Sequence, residues 1–147
     1  MIKNERQYRI TRAQVEKFTQ ALHRASERGT AEPGIHPMLR KAQEDAIRSQ
    51  LDDLQVELAE YEALLAGKTA VRQVESLEDL PRALIRARIA HGLSQKELAR
   101  RLGMKEQQIQ RYEATEYASA SLRRVLEVAR CLGVAAQPSK PAQHHGG

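Results

Sequence analysis

The 147-residue chain contains no tryptophan, one phenylalanine and four tyrosines, so aromatics amount to 3% of it. That scarcity, together with the lack of any convincing alternating apolar run, argues against a β-rich core and for an all-α fold. A single cysteine, Cys131, excludes an intramolecular disulfide framework, and its neighbours Val125, Val128 and Leu132 suit a thiol packed in a core. There is no run of about 18 apolar residues and no charged-then-apolar leader, so a soluble, cytoplasmic protein without a membrane partner is expected. No glycine loop has the spacing of a phosphate cradle. The five histidines (His23, His36, His91, His144 and His145) lack metal-ligand spacing with carboxylates or with Cys131. Neither catalysis nor a cofactor nor a metal is expected.

What is present is apolar residues at 41%, enough for one or two small cores, and a formal charge of +5 that is unevenly placed. Residues 1–68 balance 11 basic against 11 acidic side chains, whereas residues 69–147 carry 13 against 8. The whole positive excess therefore lies in the second half.

Within that half, Gln95 to Ala114, QKELARRLGMKEQQIQRYEA, has the pattern of two short amphipathic helices. Ser94 followed by Glu97 is a capping-box spacing, and Leu98 and Leu102 lie one turn apart beside small Ala99. Gly103 supplies the left-handed conformation that ends the first helix. In the second helix, at about 100° per residue, Ile109 and Tyr112 fall on one side while Gln107, Gln110, Arg111 and Ala114 project from the other. Glutamine pairs bidentately with adenine and arginine with guanine, so Gln107, Gln110 and Arg111 form a direct-readout set for a major groove. On an arbitrary helix the same residues would only be solvated.

Leu93 to Gly133 resembles the phage-repressor helix-turn-helix family, Cro-like and lambda-repressor-like. Leu93, Ser94 and Gln95 match the start of its second helix, Leu98, Ala99 and Leu102-Gly103 the body of that helix, and Ile109 to Glu113 its recognition helix. Ser121 to Gly133 matches the helix that closes the core, and a helix from Pro81 precedes the motif. The resemblance implies a double-stranded DNA operator as partner. It implies contacts from Gln95 to a phosphate or outer base, and an approach of Lys105, Gln107, Gln110 and Arg111 to the groove; Lys96 is expected at a phosphate from its charge, and Gln108 belongs to the same expected DNA-binding set. It also implies a partly buried ion pair between Arg88 and Glu113. Lys105 departs from the family by replacing the usual capping Ser or Thr, with Glu106 left to complement the helix dipole. The loop from Ala114 to Ala120 is one residue longer than usual and lacks the family's glycine, and the usual fifth helix is missing before Pro138 and Pro141.

The first half is organised differently. Thr11 and Gln14 form another capping-box pattern, with Ile10 and Val15 as a hydrophobic staple, and predict a helix to about Arg28 with Val15, Phe18, Leu22 and Ala25 on one stripe. Thr30 to Pro37 reads as a connector. Met38 to Ala66 reads as one long helix whose apolar residues Ile47, Leu51, Leu54, Leu58, Tyr61 and Leu65 alternate in steps of four and three, the seam of a coiled coil. In a parallel two-stranded coil Glu57 and Glu62 would flank the seam and repel, so an antiparallel hairpin is expected, its remaining apolar surface forming a homodimer.

The expected organisation is a helical hairpin at 1–68 for dimerisation or partner binding, a linker at 69–79, a lambda-repressor-like domain at 80–136 and a disordered tail at 137–147. The expected function is a sequence-specific transcriptional regulator, a repressor, that reads DNA as a homodimer. The layout is also similar to HigA-type antitoxins, which bind a ribonuclease toxin and repress their own operon. On that alternative, the acidic stretch Glu44 to Glu62 would receive the toxin.

Overall fold

Six helices make up almost all the regular structure among the described residues, which in the computed structural model are 1–28, 36–67 and 73–136. The connector from residue 29 to 35, the start of the linker at 68–72 and the tail at 137–147 with His144 and His145 lie outside them. The chain divides into two compact units, Met1–Ala63 and Leu64–Gly147. No helix among the described residues is long and apolar enough to cross a membrane.

The first unit is built from α1 (Glu5–Arg28) and α2 (Pro37–Leu65). Helix α1 begins six residues before Thr11. Its start is fixed by Asn4, whose Oδ1 accepts the backbone N–H of Gln7 at 2.9 Å, while Gln7 Oε1 accepts that of Lys3. Thr11 is instead a buried residue inside the helix. A local capping pattern yields to the apolar stripe, because a hydroxyl can cap only where the helix needs to start.

The two helices run antiparallel. The ring of Tyr8 lies 5.1 Å from that of Tyr61, the Tyr8 hydroxyl donates to Glu62 at 2.6 Å, and the N-terminal ammonium pairs with Glu57 at 3.2 Å. The hydrogen bond to Glu62 raises the Tyr8 phenol above its ordinary range, followed by loss of hydration. Leu51 and Tyr61 are buried on α2, and Ile47, Leu54 and Leu58 are half-buried. The seam departs from expectation at its end, where Leu65 is 52% exposed and Leu64 is the buried residue at 2%. Leu64 groups with the second unit, which begins at that residue, so the seam of the hairpin ends at Tyr61 and does not reach Leu65.

The second unit holds α3 (Leu80–Ala90), α4 (Gln95–Leu102), α5 (Glu106–Ala114) and α6 (Leu122–Leu132). Leu84, Ile85, Leu98, Ile109, Val128 and Leu132 are fully buried and supply its core, one or two from each helix. Ser94 and Ser121 cap α4 and α6 by accepting the N–H of Glu97 and Arg124. Gly103 and Gly133 close the same helices at φ of 66° and 68°, each followed by a backbone bond back across the last turn: Met104 to Ala99 and Val134 to Ala129. A strand pair absent from the sequence reading joins the flanks of the unit. β1 (Gln73–Val74) runs parallel to β2 (Ala135–Ala136), which ties the segment before α3 to the segment after α6. At two residues per strand it leaves the fold all-α.

Candidate nucleic-acid interface

Helices α4 and α5 pack closely around the turn at Gly103, and their burial divides each cleanly in two. Leu98 and Ala99 of α4 and Ile109 of α5 are 0–1% exposed. Lys96, Lys105, Gln107, Gln108, Gln110 and Arg111 are all exposed. The face with Ile109 is fixed by packing, so the orientation of the opposite face, with Gln107, Gln110 and Arg111, is fixed too.

A buried polar cluster holds α5 in place. Arg88 of α3 and Glu113 of α5 are 3% and 0% exposed and pair bidentately, with Nε donating to one carboxylate oxygen at 2.6 Å and Nη2 to the other at 2.8 Å. Arg88 Nη1 also donates to the carbonyl of Leu93 at 2.8 Å, and the amide of Gln95 donates to Glu113 at 3.0 Å. Three helices thus meet at one carboxylate, α3, α4 and α5, and the Arg88 guanidinium ties in the α3–α4 turn through Leu93. Charge-assisted, two-pronged bonds of this kind fix direction as well as distance, so the cluster sets the angle at which α5 leaves the core.

Two residues expected at the DNA surface also bond within the domain, Gln95 from a buried position and Gln108 from an exposed one. Gln95 is only 6% exposed and its amide is engaged by Glu113, so it positions the cluster in place of reaching a phosphate. Its place in the first turn of α4 points it inward toward α5. Gln108 accepts the backbone N–H of Lys105 through Oε1 at 3.2 Å, the reciprocal half of a capping box, while the lysine side chain has no acceptor to offer the free N–H groups of the first turn. The spacing of Lys105 and Gln108, a cap position and its third successor, carried that information in the sequence. Gln110 lies within a long 3.4 Å bond of Glu106.

The longer loop after α5 is resolved by backbone strain. Glu116 and Tyr117 take φ of 50° and 61°, the left-handed region where the family's glycine is missing. Tyr117 turns inward as a result, 4% exposed, with its ring 5.9 Å from that of Tyr112. Its hydroxyl finds no hydrogen-bond partner among the described residues. Burial, and then the nearby Glu113 carboxylate, hold that phenol well above the ordinary tyrosine range. Removing an unpaired buried hydroxyl relieves its desolvation cost, so Tyr117→Phe should stabilise the domain by about 1 kcal/mol. Thermal denaturation should show this as an upward shift of roughly 4–8 °C if the domain unfolds as one small unit; a lower midpoint would mean that the hydroxyl has a partner in solution.

Residues 84–137 match a protein family described as Helix-turn-helix, a span that takes in most of α3 and all of α4, α5 and α6. No match was found among the curated proteins or among the solved structures. The match and the arrangement of α4, the Gly103 turn and α5 agree on one conclusion: the second unit contains a helix-turn-helix domain of the phage-repressor-like family, a DNA-binding module of transcription regulators.

Proposed function

We propose that the protein is a sequence-specific repressor in which α5 enters the major groove and Gln107, Gln110 and Arg111 read base edges, while Lys96 and Lys105 contact phosphates. The observation that carries this reading is the division of α5 into a face locked by Ile109 and Glu113 and an exposed face bearing those three side chains. The reading includes a homodimer formed through the α1–α2 hairpin. One recognition helix covers a few base pairs, and two would address half-sites about 10–10.5 bp apart or a multiple of it. No catalytic step belongs to this function.

Selection of bound sequences from a random DNA pool, with footprint length recorded, tests it directly. An inverted repeat is the expected product; a short unpaired motif would count against the dimer, and no enrichment at all would sink sequence-specific reading. Arg111→Ala should relax base preference at one position of each half-site, at about 1–3 kcal/mol per position. A uniform loss across all sequences, with a shallower salt dependence, would instead make Arg111 a phosphate contact.

A second reading, an antitoxin that represses its own operon, is favoured by the seven acidic residues of α2 set against three basic ones. It requires a neighbouring gene for a small basic ribonuclease whose activity this chain suppresses. The two readings differ in the partner and agree on the DNA.

A further inference from the structure

The hairpin is an unfinished core. Val15, Phe18, Leu22, Ile47, Leu54 and Leu58 are only half-buried between α1 and α2, and beside them an open groove runs past Arg9, Arg12 and Leu58. Two helices cannot close such a seam, whereas four can. The hairpin is also electrically polarised, since α1 carries six basic and three acidic residues and α2 three and seven. Arg9, Lys17 and Arg24 on α1 and Asp45, Asp52 and Asp53 on α2 are exposed, and among the described residues none of them forms an ion pair within the chain.

We propose that the hairpin docks on a second copy of itself with α1 of each chain lying against α2 of the other, so that the two-fold axis runs parallel to the helices. This rests on the dimer reading above and specifies its geometry. Two packings of the hairpin's open face are available. With the axis perpendicular to the helices, α1 meets α1 and α2 meets α2, and helices of like net charge face each other along their length. With the axis parallel, each basic helix meets an acidic one. The stack of Tyr8 on Tyr61 sets the levels, and the equal rise of two helices carries them along the hairpin. Arg9 then stands level with Glu60, Lys17 with Asp52 and Arg24 with Asp45, in the partner's α2 as in its own, whereas Glu16 is level with Asp53 and Arg28 with Lys41. At about 100° per residue these charges lie on the flanks of the helices away from the apolar stripe, so they act through the summed field of each helix and not as contact pairs. Every neighbouring pair in the four-helix square is antiparallel in either packing, so the helix dipoles favour both equally and the net charge of the helices decides between them.

The parallel axis has a consequence for reading DNA. It brings the C-terminal ends of both α2 helices to the same end of the bundle, from which the two helix-turn-helix domains follow in sequence. The perpendicular axis would separate those ends by about the length of α2, on the order of 44 Å.

Analytical ultracentrifugation of the full chain and two charge-reversed forms tests the arrangement. One form carries Arg9→Glu, Lys17→Glu and Arg24→Glu, the other Asp45→Lys, Asp52→Lys and Asp53→Lys, with circular dichroism to confirm helix content. Each alone should dimerise at least tenfold more weakly than the unmodified chain, and an equimolar mixture should form a heterodimer of near-original affinity. Repulsion inside each hairpin is the same alone and mixed, so recovery on mixing reports contacts between chains. The unmodified dimer should also weaken as salt rises from about 50 mM to about 500 mM, a readout independent of how the variants fold. Spin labels at Ala66→Cys in a Cys131→Ser background should lie roughly 20 Å apart, given interaxial distances of about 8–10 Å. A monomeric unmodified chain would overturn the dimer reading itself. A dimer indifferent to salt and to both reversals, one not recovered by mixing folded variants, or one with labels on the order of 45 Å apart would overturn this packing alone.

Discussion

Replacing Glu113 by alanine should destabilise the DNA-binding domain by about 3–5 kcal/mol, enough to unfold a marginal domain at ambient temperature. The loss comes mainly from what remains. Arg88 is 3% exposed, with a guanidinium directed at a carboxylate that would no longer exist, and the amide of Gln95 loses the same acceptor. Arg88→Ala should cost a similar amount by stranding Glu113, which is fully buried. Removing both charges together should cost far less. In Arg88→Met combined with Glu113→Leu no ion is left uncompensated, and apolar replacements of a buried pair are often neutral or stabilising. The Leu93 carbonyl and the Gln95 amide would each lose the bond they make to this pair, at about 1–3 kcal/mol for each group left unsatisfied. Urea denaturation of the four proteins would give the coupling energy. If each single variant lost less than 1 kcal/mol, water would have to reach the pair in solution and its role in aiming α5 would fall.

The same cluster shows how far the sequence could be read. Arg88 and Glu113 were placed together through resemblance to a family; no periodicity relates residues 25 apart. The turn at Gly103 and the caps at Ser94 and Ser121 were legible because their chemistry is local: a backbone conformation that favours glycine and a hydroxyl next to free N–H groups. Gln95 and Gln108 share one limit on what the sequence can tell. Composition marks a glutamine as a possible base reader, but whether it faces DNA depends on what its amide finds first, and here those are Glu113 and the Lys105 backbone. Thr11 had the right spacing for a cap and the wrong tertiary position. The β1–β2 pair offered no pattern to detect, since two residues carry no alternation, and Tyr117 became a core residue only because the loop bends through two left-handed positions.

Deleting residues 1–66 should leave a folded domain that binds operator DNA 10²- to 10⁴-fold more weakly, roughly the span by which linking two sites raises their combined affinity. The domain should survive because its core, from Leu84 to Leu132, and the Arg88–Glu113 pair all lie beyond the cut. The base contacts assigned to Gln107, Gln110 and Arg111 are retained as well, so the sequence preference at each half-site should persist while affinity drops. Salt dependence separates lost linkage from a damaged interface. If half the phosphate contacts are lost with the second subunit, the slope of log K against log salt should fall by about half, whereas a distorted α5 would lose affinity without halving it. Joining two truncated domains through an unrelated parallel coiled coil should restore most of the binding, provided that the linker spans the half-site spacing. Full affinity in the truncated monomer would remove DNA reading from the hairpin's role and leave the acidic face of α2 to a protein partner; failure of the fused dimer would mean that the hairpin sets the geometry of the two domains as well as their number.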